Sequence, residues 1–356
     1  MFVSTVYIFI LCTLFGHQHF QTYVAATFTD GFKKFLTKTY GEQVATNLTR
    51  GDFGVRGSFG GDNRSYPQKT KNIPVVFVHG MTNVAGDYHE AFDLWMSRNY
   101  TAAEIYSTTY GPQNTPINMT CELSCDYVKQ IRQLIIAVSD YTLSKIFVIG
   151  NSLGGPISRK VSELAGTRNR RLKAILGGKC VDTHEDLGPP LTERVATYLG
   201  VAGAMKGAII CAEWVSYLLP ICNKRNGLYI DSAYINDTNS IERYESSRIL
   251  IIESQDDDLV GFEKDGRRLL EVAGANETII LHNVTHERTV FGTQALQFDL
   301  LLNRNVSVDP SDEITPAPSN SVDFEKLQME TANETIFKLT GKGLMIDPNA
   351  KTELSH

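Results

Sequence analysis

Several features that would decide a function quickly are missing from this chain of 356 residues. Beyond the first fifteen or so residues no apolar run is long enough to cross a bilayer. There is no basic excess: the formal net charge is -6. No dense Lys/Arg face is therefore available to neutralise phosphates, which excludes a nucleic-acid partner. The six cysteines show no zinc-finger spacing. The glycine cluster Gly57–Gly61 carries no phosphate-loop lysine and reads as a turn. No internal repeat is present, and Arg50-Gly51-Asp52 is a short tripeptide of the kind that arises by chance.

What is present begins with an export signal. Val6 to Phe15 is a compact apolar block, too short to span a membrane, followed by polar residues and the pair Ala25-Ala26. Its basic leading segment is missing, so the amino terminus supplies the positive charge. Residues 1–26 read as a signal peptide cleaved between Gly16 and Ala26, which implies secretion. Acceptor motifs for N-glycosylation agree with that route, at Asn47, Asn63, Asn99, Asn118, Asn236, Asn276, Asn305 and Asn333. A ninth, Asn283, lies too close to a candidate catalytic residue to carry a glycan freely. In an oxidising compartment the cysteines should pair. Cys211 and Cys222 bracket a short loop and form the favoured pair, while one of Cys121, Cys125 and Cys180 is left over.

With 42% hydrophobic residues the chain has ample material for a core. Strand-like runs alternate with helical stripes. Pro74–His79, Ala103–Thr108, Lys145–Ile149, Leu172–Leu176, Val195–Gly200, Ile249–Glu253 and Thr278–Val284 read as strands. Tyr88, Ala91, Phe92, Trp95 and Met96 recur at helical spacing. So do Val128, Ile131, Leu134, Ile135 and Val138, and again Phe291, Ala295, Phe298 and Leu302. This alternation specifies an α/β fold, a mostly parallel sheet with helices on both faces, over residues 27–305. From Val306 the composition turns to Asp, Ser, Pro and Thr. Residues 306–356 are expected to form a polar, flexible tail with one weak helix at Val322–Lys338.

The chemistry concentrates at Gly150-Asn151-Ser152-Leu153-Gly154, a G-x-S-x-G between an apolar strand and a helix-capable segment, Ile157 to Ala165. So sharp a turn forces Ser152 into a strained conformation and lifts its hydroxyl above the sheet. Such a serine needs a base, and the base needs an acid to orient it. After the Ile249–Glu253 strand the histidines are His282, His286 and His356. His282 falls within the last expected strand and His286 just beyond it, so His286 is the base. The acid lies among Asp256, Asp257 and Asp258, and periodicity does not choose between them. Two backbone N–H groups should hold the developing oxyanion: that of Leu153, and that of Met81 after the Val75–Val78 strand. His79 should shape that loop through a hydrogen bond. Glu213–Cys222 is apolar enough to be either core or a lid presenting Trp214, Tyr217, Leu218 and Leu219 to lipid.

HGMTN, CDYVKQIRQLI, VIGNSLGGPISRK, GVAGAMKG, CNKRNGL, DDLVG and THE together resemble the lipase class 2 family. These are secreted α/β-hydrolase lipases, expanded in nematodes and related to minimal bacterial lipases. The likeness runs from Gly31 to Leu302 and is most specific over Cys125–Lys160. It implies an α/β-hydrolase fold, Ser152 as nucleophile, His286 as base and no cofactor. It also selects Asp257, because the family's acid precedes one variable residue and two aliphatics, here Asp258 and Leu259-Val260. Asn151 departs from the family, where a His is frequent. The expected activity is hydrolysis of fatty-acyl esters, with a short-chain carboxylesterase and a catalytically silent lipid-binding protein as the alternatives.

Overall fold

The computed structural model of the chain describes residues 27–159 and 179–304. The leader, the expected strand Leu172–Leu176, the helical stretch beyond Arg159, the tail, Asn305 and Asn333 lie outside the described residues. Among those described, no helix is long and apolar enough to cross a membrane.

The described residues open with two helices, α1 (Asp30–Tyr40) and α2 (Glu42–Thr49). The Thr29 side chain accepts the Phe32 N–H at the start of α1, Asp30 sits in its first turn, and Gly41 ends it at φ 91°. Next come β1 (Ser58–Phe59), β2 (Val75–Val78), α3 (His89–Ser97), β3 (Ile105–Thr108), α4 (Cys125–Thr142) and β4 (Ile146–Asn151). After α5 (Gly154–Arg159) follow β5 (Val195–Val201), α6 (Ala233–Thr238) and β6 (Ile249–Ser254). A small antiparallel pair, β7 (Glu263–Lys264) and β8 (Arg267–Arg268), precedes β9 (Glu277–Leu281), α7 (His286–Phe291) and α8 (Gln294–Leu301).

Among the described residues the main sheet has seven strands in the order β1-β3-β2-β4-β5-β6-β9, all parallel except β1. The central strands are apolar along their length because both faces are covered. Val75 to Val78 and Ile146 to Asn151 are buried at every position. The register pairs Val76 with Tyr106, so these two share a face and Phe77 points to the other. On the Tyr106 side stand α1 and α4: the Phe32 ring lies 5.2 Å from Tyr106 and 4.9 Å from Tyr141. On the Phe77 side stand α3 and α8: Trp95 meets Phe77 at 5.8 Å and Phe298 at 4.8 Å, both edge to face. Strand order and two-sided cover are those of an α/β-hydrolase.

Four expectations change in detail. Gly57–Gly61 is more than a turn, since Ser58 and Phe59 pair with Thr108 and Ser107 as an antiparallel edge strand. The last strand stops at Leu281, which leaves His282 exposed in a bend and not held in the pleat. The stripe Phe291–Leu302 is two helices broken at Gly292–Thr293, and Ala295 faces solvent. Met96 is likewise exposed although Trp95 beside it is buried.

Cys211 pairs with Cys222, and Cys125 pairs with Cys180, leaving Cys121 as the free thiol among the described residues. Arg50, from the discounted tripeptide, is buried. It pairs with Asp52 and donates to the carbonyls of Thr109, Gly111 and Pro112. Asn47, Asn63, Asn99, Asn236 and Asn276 are exposed, as is Asn283, and Asn118 is half-buried.

Candidate active site

The site forms where β2, β4, β6 and β9 end, at the carboxyl edge of the sheet. β4 runs into Ser152, which sits at φ 51°, left-handed backbone that a non-glycine residue adopts at a cost. Its neighbours are glycine because nothing larger fits. A Cβ on Gly154 would stand 2.2 Å from the Val78 carbonyl oxygen, and one on Gly150 would stand 2.6 Å from Ser158 Oγ. The Ser152 N–H donates to Val201 O at 2.9 Å, which ties the turn to β5. Asn151 ends β4 fully buried, and neither of its side-chain polar atoms has a hydrogen-bond partner among the described residues.

His286 is the first residue of α7, and its Nε2 lies 2.8 Å from Ser152 Oγ. Its Nδ1 lies 2.7 Å from Asp257 Oδ2. The other oxygen of Asp257 accepts from the backbone N–H groups of Leu259, Val260 and Gly261 at 3.1, 2.8 and 3.3 Å. Asp257 is therefore the aspartate that turns inward, and it is buried, whereas Asp256 and Asp258 are exposed. Burial alone would raise the Asp257 carboxyl. The facing His286 and the backbone N–H groups outweigh that and hold it below the usual carboxylate range. Burial alone would also depress His286, but the charges of Asp257, Asp258 and Glu287 prevail and raise it. A base with a raised pKa and an orienting carboxylate suits proton transfer from a hydroxyl.

The second loop follows β2. His79 is fully buried, with Nδ1 2.8 Å from Gly80 O and Nε2 accepting the Tyr110 N–H at 3.0 Å. Its ring stacks on Tyr110 with centroids 4.2 Å apart. Burial pushes its pKa down to about 4, which favours the neutral ring, and both ring nitrogens are taken up by the backbone of the loop. Gly80 lets the loop approach: a Cβ there would lie 3.0 Å from Ser152 Cβ. Met81 follows, and among the described residues neither its N–H nor that of Leu153 donates a hydrogen bond. Met81, Ser152, Leu153 and His286 line one cavity of about 20 Å³, whose apolar walls are Ala204, Ala208, Ile210, Leu228, Leu259 and Val260. Such a space holds roughly one water.

None of the six wall residues was legible as such in the sequence. They come from separate loops that meet only in the folded chain, through contacts such as Ala208 N–H to Leu228 O and Ile209 N–H to Val260 O. Next to them runs the disulfide-closed Cys211–Cys222 loop. It divides the residues expected on a lid: Trp214 and Tyr217 are 66% and 72% exposed, Leu218 is half-buried and Leu219 is buried. Glu213 pairs with Lys224, and Lys224 also lies over the rings of Tyr217 and Tyr229.

Residues 72–299 match the family described as lipase (class 2). A search of curated proteins returned no match. Among solved structures the chain is similar to lipase B of Aspergillus fumigatus, with 16% identity and a TM-score of 0.45 over 73% of this chain and 56% of that one. It is also similar to a structure of the metagenome-derived lipolytic enzymes LipS and LipT (14% identity, TM-score 0.43, 70% of this chain and 96% of that one). The mature form of Bacillus licheniformis lipase BlEst2 follows at 12% identity and a TM-score of 0.42, over 70% of this chain and 98% of that one. The chain spans just over half the length of the Aspergillus enzyme.

Proposed function

The chain belongs to the class 2 lipase family, and from that membership we propose that it is a secreted lipase cleaving fatty-acyl esters, triacylglycerol among them, through an acyl-enzyme on Ser152. The observation that carries the reading is the continuous relay from Asp257 to His286 to Ser152, with contacts of 2.7 and 2.8 Å, set beside two undonated backbone N–H groups. In this mechanism Ser152 Oγ attacks the ester carbonyl carbon while His286 Nε2 takes its proton. Asp257 holds the Nδ1–H and stabilises the imidazolium. The Met81 and Leu153 N–H groups receive the oxyanion, a contribution typically worth about 3 kcal/mol per donor. Collapse breaks the bond to the alcohol, which leaves with the proton from His286. A water, activated by the same imidazole, then releases the fatty acid and regenerates Ser152. The reaction calls for no cofactor or metal.

Trp214 and Tyr217, exposed on the disulfide-closed loop that follows the wall residue Ile210, support action at an oil–water interface, since rings with an apolar body and a polar tip settle there. The narrow cavity supports the other reading, a carboxylesterase for short soluble esters. The test is hydrolysis of p-nitrophenyl esters from acetate to palmitate, with emulsified triolein alongside, against Ser152→Ala. Ser152-dependent turnover of palmitate and triolein makes the protein a lipase, and turnover confined to short esters makes it an esterase. Absence of turnover and of fluorophosphonate labelling would make it a lipid-binding protein on a hydrolase fold.

A further inference from the structure

Of the three consecutive aspartates after β6 the proposed reaction uses only the middle one. The outer two are exposed carboxylates, free on solvation grounds to point into water. Both are instead directed at the backbone of the histidine loop. Asp256 Oδ2 accepts the Asn283 N–H at 2.6 Å, and Asp258 Oδ1 accepts the His286 N–H at 2.8 Å. Between them Ser254 Oγ donates to Val284 O at 2.6 Å, and Gln255 N–H donates to Leu281 O at 3.0 Å. The two loops are thus stitched from Leu281 to His286, with the Asp257–imidazole contact as one stitch in the row.

The stitch at His286 has a specific purpose. The first N–H groups of a helix have no acceptor within it. The residue that should cap α7, Thr285, makes no side-chain cap bond. Asp258 reaches across from the other loop and supplies an acceptor for the first of these groups, the His286 N–H. Holding the His286 N–H sets the direction of its Cα–Cβ bond, and Asp257 then needs only to fix the ring torsions. Because Nε2 must stay within hydrogen-bond reach of Ser152 Oγ, a shift of about 1 Å in that backbone can cost as much as a hundredfold in rate.

We propose that Asp258, backed by Asp256, is a positioning residue: it grips the backbone of the catalytic histidine from outside the helix, so that one acidic triplet orients both the main chain and the ring of His286. The proposal rests on the reading of His286 as the base. The carboxylates facing His286 are Asp257 and Asp258 from the loop after β6 and Glu287 from its own helix, so removing Asp258 leaves two of them in place.

The experiment compares wild type, Asp258→Ala, Asp258→Asn and Asp256→Ala. It measures kcat and KM for p-nitrophenyl butyrate across pH, together with amide hydrogen exchange over residues 283–291. Asp258→Ala should lower the plateau kcat roughly tenfold, the loss of about one charge-assisted hydrogen bond, with KM nearly unchanged. Asp258→Asn retains an oxygen acceptor and should recover most of that plateau. Both variants should move the acid limb of the profile to lower pH, because a carboxylate that favours the imidazolium is gone. Exchange at the start of α7 should quicken in Asp258→Ala, and exchange around Asn283 should quicken in Asp256→Ala. A wild-type plateau in Asp258→Ala, or a change confined to KM, would overturn the proposal, as would unaltered exchange. If the wild type itself hydrolyses no ester, the functional reading fails while exchange still decides whether the aspartates hold the loop.

Discussion

Taking the protein from pH 7.5 to pH 5 should cost about 2 kcal/mol of stability through His79 alone, and His79→Gln should lose that dependence. In the fold the imidazole is fully buried with its pKa pushed down to about 4, whereas in the unfolded chain it returns to the ordinary 6.5. Between those values the unfolded chain binds a proton that the folded one refuses, so stability falls as the pH drops through 6.5. The loss reaches about 2 kcal/mol at pH 5 and about 3 kcal/mol at pH 4. The cause is burial of the ring, and the geometry leaves no acceptor for an added proton: Nε2 already accepts the Tyr110 N–H, so a proton there would set two donors against each other inside the core. Other groups do not imitate this signal. His286, whose pKa is raised, contributes stability that is present at low pH and fades as the pH rises through its folded value. The Asp257 contribution, from a lowered pKa, disappears only as the pH falls below the ordinary carboxylate range. The assay is urea unfolding of wild type and His79→Gln at half-unit steps between pH 7.5 and 5. The variant starts less stable because it loses hydrogen bonds, so the comparison lies in the slopes. Parallel curves would refute the reasoning and mean that water or a rearranged partner accommodates the charged ring.

Three further outcomes are expected. Ser152→Ala and His286→Ala should each abolish ester turnover in a protein that still folds, Ser152→Ala with an unfolding free energy within about 1 kcal/mol of wild type because it removes one oxygen, and His286→Ala with a larger loss because the buried Asp257 carboxylate is left without its partner; full activity in either would remove the relay. Asp257→Asn should lower kcat by orders of magnitude by spoiling the tautomer and orientation of His286, far more than Asp256→Asn, whose amide oxygen can still accept the Asn283 N–H; the reverse ranking would move the acid by one residue. Replacing Trp214 and Tyr217 together by Ala should leave p-nitrophenyl butyrate hydrolysis unchanged and reduce turnover of emulsified triolein roughly tenfold, given the apolar area each ring presents. Equal losses on both substrates would show that the loop supports the fold and not an interface.

How much of this could be read in advance depended on how local the signal is. The elbow is local, because a strand, two glycines and a serine must be contiguous to make it, and Ser152 stood out accordingly. His286 followed from chain order, even though the strand placed before it was drawn three residues too long. The choice of Asp257 came from the family likeness and not from periodicity, since three adjacent carboxylates offer no pattern. The two-residue strand Ser58–Phe59 was hidden in a glycine-rich stretch, because its partner β3 lies some fifty residues away.

By itself, then, the sequence determined the alternation of buried strands and helical stripes, the sharp turn that carries Ser152 between its glycines, and the chain order of Ser152, the aspartate triplet and His286. Those follow from contiguous residues obeying local sterics and the burial of apolar faces. Only the tertiary structure shows how Asp257, singled out by the family likeness, is turned inward, that its neighbours accept from the backbone of the histidine loop, and which six side chains wall the cavity. The wall depends on loops brought together by the parallel crossovers. Which carboxylate turns inward depends on which backbone N–H groups the neighbouring loop presents, and neither is written in the spacing of residues along one strand or helix.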